Sequence, residues 1–298
     1  MSYLICPTPE AYVERTIDLG RNPENVQKRR RRLIDPNANR PLFDTAGWIR
    51  NLEPLLHKLG GVTIATTTNP PRDGTMEQTA AHSNYNPDLL AIMPKVPSVV
   101  EVGCSTGALA KAYQSLNPGA HYVGIEVDES YGEEARQWCS SVLIGDVEEL
   151  LFSPARQSDL RAQLYVFGDS LEHLRDPWSV LARVHQLLEP EGMICACIPN
   201  AQHWSLQARL SIGDLTYEDS GLMDRTHLRW FTKSTIEKML IDAKFVTQSI
   251  QPRIFPHPAA EKVTKQIMAM AKALGSDPLV AARNAQPLQY VIRAQKGH

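Results

Sequence analysis

Two acidic residues and a glycine-bearing turn stand where this chain could do chemistry. Glu126 ends the apolar run His121–Glu126, and Asp146 follows the run 142–144 across a single glycine. A carboxylate at the first position can accept hydrogen bonds from two ribose hydroxyls. One at the second can accept from an exocyclic adenine amine, while Val147 packs against the ring. Upstream lies Glu101-Val102-Gly103-Cys104-Ser105-Thr106-Gly107. Gly103 allows a sharp turn and Gly107 a close approach, and the helix that follows offers unpaired N–H groups. Each feature alone reads equally as a structural turn or a surface acid. Their joint occurrence, in order and at this spacing, points to a site.

Three histidines, His173, His203 and His227, lie on segments that leave the same edge. Histidine is the usual general base because its pKa lies near neutrality; capping or packing explains each one singly just as well. With Asp169, Glu172 or Asp224 they could bind a metal. No pair has H-x-x-x-H or C-x-x-C spacing, which speaks against one. Trp204, Tyr217 and Trp230 suit stacking on a sugar or another ring, or else form a small core of their own segment.

The elements that must position these residues alternate. From Ser98 onward, strands are expected at 98–102, 121–126, 142–144, 164–167, 193–198, 245–250 and 288–293. Helices are expected at 106–116, 129–139, 177–188 and 232–243, with the turn Glu189-Pro190-Glu191-Gly192 before the fifth strand. This rhythm implies a mostly parallel sheet covered on both faces, and such sheets bind ligands beyond the carboxyl ends of their strands. Residues 199–231 read as a lid and 259–274 as an inserted helix. Residues 1–97 lack the rhythm. They read as a helical and irregular extension that caps the active site, with an amphipathic helix at 44–59, a loop at 66–76 and a basic run at 28–32 that fits a solvated helix face.

At this point the sequence resembles the core of the class I S-adenosylmethionine-dependent methyltransferases. Glu101, Gly103, Ser105 and Gly107 are similar to the family's E-x-G-x-G-x-G turn, with Ser105 in place of the middle glycine. The run 168–178, Gly-Asp-Ser-Leu-Glu-His-Leu-Arg-Asp-Pro-Trp, resembles the segment after the fourth strand in many bacterial members. Residues 198–204 and 221–232 look like a bacterial subgroup associated with glycan and glycosyltransferase systems. The resemblance covers roughly 85–245 and 289–294. It implies a Rossmann-like, doubly wound, seven-stranded α/β sheet with an antiparallel last strand, in a domain spanning 98–298. It also implies S-adenosylmethionine as cofactor and S-adenosylhomocysteine as product. Glu126 would hold the ribose and Asp146 the adenine; Glu101 suits a cationic cofactor better than a dinucleotide's phosphates. Tyr85 is expected near the cofactor. His173, then His227, are the expected bases, and Asp169 would orient a histidine or contact the methionine amine. His203, Trp204, Tyr217, Asp224 and Trp230 are expected to serve the acceptor and the lid.

The acceptor expected is a hydroxyl, or an amine, on a sugar or natural product. A peptide or protein methyltransferase and a non-catalytic cofactor-binding relative are the alternatives; Glu126 and Asp146, both present, argue against the second. A dehydrogenase lacks support because the first turn departs from G-x-G-x-x-G. The net charge of −2 gives no reason to expect nucleic acid as a partner. No stretch reaches the about 18–20 apolar residues of a membrane span. Five scattered cysteines, Cys6, Cys104, Cys139, Cys195 and Cys197, read as free thiols of a cytoplasmic protein. The sequence leaves the oligomeric state open.

Overall fold

The computed structural model describes residues 84–297, together with Thr8, Glu10, Ala11, Val13, Glu14, Ile17, Arg21 and Asn22. The chain divides into two units, Met1–Thr75 and Met76–His298. In the first, Glu10, Ala11, Val13, Glu14, Ile17 and Arg21 are helical, and the N–H of Ala11 donates to Thr8 Oγ1 at 3.2 Å. The readings of 28–32, 44–59 and 66–76 lie outside the described residues, and so does most of the proposed cap.

The second unit starts with α1 (Pro87–Ile92). Asn86 caps it by accepting from the N–H groups of Asp88 and Leu89, and Pro87 supplies its first turn. Then follow β1 (Ser98–Val102), α2 (Ala108–Leu116), β2 (His121–Glu126), α3 (Glu129–Ala135), β3 (Ser141–Ile144) and α4 (Val147–Leu150). Next come β4 (Ala162–Gly168), α5 (Pro177–Leu187), β5 (Leu188–Pro199), α6 (Trp204–Ser211) and α7 (Lys233–Asp242). The last elements are β6 (Phe245–Arg253), α8 (Ala260–Ala273), α9 (Pro278–Asn284) and β7 (Gln289–Lys296). The strands form one seven-stranded sheet in the order β3-β2-β1-β4-β5-β7-β6. β7 runs antiparallel between β5 and β6, while β1 to β5 pair in parallel.

Successive residues of β1 feed opposite faces. Val99 joins Leu89, Leu109 and Tyr113 on the side of α1 and α2. Val100 and Val102 join Leu181, Val184, Ile236 and Met239 on the side of α5 and α7. Burial on both faces is what a parallel sheet requires.

Three local outcomes differ from the sequence reading. Helix α2 begins at Ala108 because its N-cap is Gly107 at φ +80°, outside helical space. Residues 189–192 do not interrupt the strand but bulge out of it: Ala162 pairs with Leu188 and Leu164 with Met193. The inserted segment holds two helices, α8 and α9, the second started by the cap Asp277 and by Pro278.

Candidate active site

The strand order reverses at β1, which pairs with both β2 and β4. A crevice therefore opens beyond the carboxyl ends of β1 and β4. Register brings the functional residues to that edge: Val102 lies beside Ile125 and Phe167, Glu126 beside Ile144, and Gly168 beside Cys197.

The turn after β1 is pinned to β2. The N–H groups of Gly103 and Cys104 both donate to the Ile125 carbonyl, at 2.9 and 3.1 Å. Gly103 has φ +74°, and a Cβ there would sit 3.2 Å from Ser170 Cβ. The turn thus needs glycine both for its conformation and for its approach to the β4 loop. Ser105, the departure from the glycine pattern, is held at φ +47°. Its N–H donates to Glu126 Oε2 at 2.8 Å, and its hydroxyl is buried with no hydrogen-bond partner. The Ser170 hydroxyl across Gly103 is buried and unpartnered as well.

Glu126 is buried. Besides Ser105, it accepts the N–H groups of Val127 and Asp128 on Oε1, at 2.9 and 3.0 Å. It therefore ties the β1 turn to the end of β2. Glu101 is buried too and accepts the Tyr122 hydroxyl at 2.9 Å. Burial, with the nearby Cys139 and Glu126, pushes its carboxyl well above the carboxylate range. Asp146 caps α4 through the Glu148 N–H and pairs with Arg175 at 2.5 Å. Arg175 also holds Glu148 at 3.0 Å, so one guanidinium joins the β3 and β4 loops. Val147 is buried. Tyr85 is exposed and lines a hollow on the outer side of α2 with Thr106, Lys111 and Trp138. Glu101, Glu126 and Asp146 do not line that hollow.

The loop after β4 and the lid meet at two histidines. The rings of His173 and His227 stand edge to face, with centroids 4.8 Å apart. His173 Nδ1 lies 3.2 Å from the Thr226 carbonyl and 3.0 Å from its hydroxyl. His227 Nδ1 lies 3.3 Å from the Leu222 carbonyl. Burial lowers the pKa of both imidazoles; for His173 the neighbouring His227 adds to this. Asp224 is buried and accepts the Thr226 N–H and hydroxyl, at 2.8 and 2.6 Å. Asp169, in a left-handed backbone at φ +54°, accepts Gln289 Nε2 at 2.5 Å. Glu172 lies between these groups.

The other lid residues divide between structure and surface. His203 caps α6: its Nδ1 accepts the Ser205 N–H at 3.4 Å and faces the Ser205 hydroxyl at 2.7 Å. Burial lowers its pKa to about 4. Trp204 packs its ring against His203 and His257, each at 5.2 Å. Tyr217 and Trp230 remain exposed, with ring centroids 6.5 Å apart.

Two residues outside the sequence-level set prove central. Arg175 is the first. The second is Asn200, fully buried, whose amide donates to the Asn284 and Pro287 carbonyls at 2.8 Å each and so fastens the end of β5 to the start of β7. The only sequence signal for Asn200 was its polarity directly after an apolar strand.

Residues 100–194 match the family described as Methyltransferase domain. Over this stretch the chain is similar to a methyltransferase domain. That match runs from β1 into β5 and includes the turn, Glu126, Asp146 and His173. Solved structures similar to this chain include an S-adenosylmethionine dependent methyltransferase from Mesorhizobium loti. It is 16% identical, with TM-score 0.46, over 70% of this chain and 96% of that one. A SAM dependent methyltransferase from Archaeoglobus fulgidus is 16% identical, with TM-score 0.46, over 67% and 86%. The plantazolicin methyltransferase BpumL in complex with SAH is 17% identical, with TM-score 0.45, over 67% and 76%. No curated protein matches the chain.

S-adenosylmethionine is the cofactor that the sequence resemblance implies, and the residues at this edge fit it. The orphaned hydroxyls of Ser105 and Ser170 flank the Gly103 turn where a polar ligand would satisfy them. Glycine at 103 keeps the approach open.

Proposed function

We propose that this enzyme methylates a hydroxyl, or an amine, of a sugar or natural-product small molecule, within the glycan-associated bacterial subgroup that its motifs resemble. The observation that carries the reading is the assembly at one sheet edge of the 103–107 turn, Glu126 and Asp146 with the paired histidines of the β4 loop and lid. The turn, Glu126, Asp146 and Val147 hold the cofactor. The resemblance assigns Glu101, Tyr85 and Asp169 to the cofactor as well, although Tyr85 lines the separate hollow outside α2 and Glu101 is buried against Tyr122.

The bound sulfonium supplies an already electrophilic methyl group. What remains for the chain is to orient the acceptor, worth on the order of 7–11 kcal/mol in favourable cases, and to take charge of its proton. His173 and His227 are assigned that proton. Their Nδ1 atoms are engaged with backbone carbonyls, which leaves each Nε2 for the proton, that of His227 lying 3.9 Å from Glu172 Oε1. Tyr217 and Trp230 offer exposed rings on the lid for a sugar to stack against; Asp224 and His203 hold that lid in shape.

The enzyme is assigned to the cytoplasm, which agrees with four buried free thiols among the described residues. No helix among those residues is long and apolar enough to cross a membrane.

The test is calorimetry with S-adenosylmethionine and S-adenosylhomocysteine, then mass spectrometry for a product heavier by one CH2 across a panel of sugars, sugar nucleotides and peptides. Products confined to peptides would replace the small-molecule reading. Cofactor binding with no product in any class would favour a cofactor-binding relative.

A further inference from the structure

The Glu172 side chain is 1% exposed, and neither carboxylate oxygen has a hydrogen-bond partner. A buried carboxylate left this way is costly unless something positive or protic completes it. Its surroundings make the demand sharper. Burial raises its pKa, and the charges of Asp169 and Asp224 add to this against the pull of its own backbone N–H.

His227 Nε2 stands 3.9 Å from Glu172 Oε1. Because His227 Nδ1 points at the Leu222 carbonyl, that nitrogen carries the ring's proton, and Nε2 turns a lone pair toward the carboxylate. With the carboxylate ionised, two electron pairs face each other across 3.9 Å with no donor between them. His173 repeats the arrangement, with Nδ1 on the Thr226 carbonyl and Nε2 left available. One ligand atom from each of Glu172, His173 and His227 can be chosen so that all lie within 4.8 Å of one another.

We propose that Glu172, His173 and His227 form a site for one divalent first-row cation. Two imidazoles and one carboxylate are a ligand set for Zn²⁺ or Mn²⁺. Histidine ligands ordinarily donate their second ring N–H to a carbonyl or carboxylate, which fixes the tautomer; both rings here do so. Sequence spacing hid the site, because Glu172 and His173 lie in the short turn Leu171–His173 after β4 while His227 comes from the lid. Three protein ligands leave positions for water or for an acceptor oxygen. That last use rests on the methyl-transfer reading, in which the cation would act on the hydroxyl in place of a free imidazole. The cation site itself does not rest on it.

The experiment is calorimetric titration of the metal-stripped full-length protein with Zn²⁺, and Mn²⁺ titration followed by electron paramagnetic resonance, both without cofactor or acceptor. One ion per chain is expected. Glu172→Gln and His227→Asn should each weaken binding by roughly 10–100-fold, in the range seen when a metal site loses a supporting group. His185→Asn, at the far end of α5, should bind as wild type does; circular dichroism verifies that each variant is folded. Absence of binding to wild type, or equal binding by the Glu172 and His227 variants, overturns the proposal and leaves a proton shared between Glu172 and His227 as the completing charge. Cofactor calorimetry on the same samples is a separate readout, so loss of the metal result does not touch the methyltransferase assignment.

Discussion

The carboxylate of Glu126 accepts the backbone N–H of Ser105 at 2.8 Å, across the gap between the first two strands. With Val127 and Asp128 on its other oxygen, it already holds three N–H groups. A side chain proposed to hold a ribose is therefore also the clamp that shapes the 103–107 turn.

Glu126→Ala should weaken S-adenosylmethionine binding by roughly 1.5–3 kcal/mol, the scale of hydrogen bonds to a charged group, and should also lower the melting temperature because the three N–H groups lose their acceptor. Calorimetry and thermal unfolding separate the two roles. A lower melting temperature with unchanged cofactor affinity would leave Glu126 a clamp only.

Gly124→Ala tests the packing beneath the same turn. A Cβ at 124 would lie 2.5 Å from Cys104 Sγ and 3.3 Å from Cys139 Sγ. The variant should lose about 1–3 kcal/mol of stability, the usual cost of overpacking. Adding Cys104→Ala removes the closest atom, so the double variant should regain part of the loss in a denaturant-unfolding cycle. Strict additivity would place the cause of the loss elsewhere.

His203 gives a pH signature. Its folded pKa, about 4, lies below the ordinary histidine value of 6.5. The fold favours the neutral ring, so its contribution is complete above about pH 6.5 and is lost as pH falls from there toward 4. His203→Asn keeps a good N-cap and should flatten that part of the stability–pH curve. Parallel curves for the two proteins between pH 6.5 and 4 would contradict the assignment.

Trp230→Ala should raise KM for a sugar acceptor about 2–10-fold, matching the ~0.5–1.5 kcal/mol of a ring contact, while cofactor affinity holds. A change in cofactor affinity with an unaltered acceptor KM would move Trp230 out of the acceptor site.

The strands β1 to β4 were legible because each is a short apolar run closed by a glycine or an acid, and a doubly buried strand has no other way to be written. Glu126 and Asp146 were legible as acids at strand ends, the one closing β2 and the other capping the helix after β3. Arg175 was not, since an arginine in a loop carries no mark of which acids it will bridge. The meeting of Glu172 with His227 was invisible for a related reason: only the closing of the lid onto the β4 loop brings them together. Helix α9 escaped because it buries no residue of its own and so shows no apolar face.

The place of β7 has a bearing on how the chain is made. The outer edge of β5 is an open row of backbone donors and acceptors until residues 289–296 arrive to fill it. The seats for the Asn200 amide, on Asn284 and Pro287, come just as late. On the ribosome, strands β1 to β5 can assemble while β5 waits with a bare edge. That interval is when self-association between nascent chains competes most directly with folding.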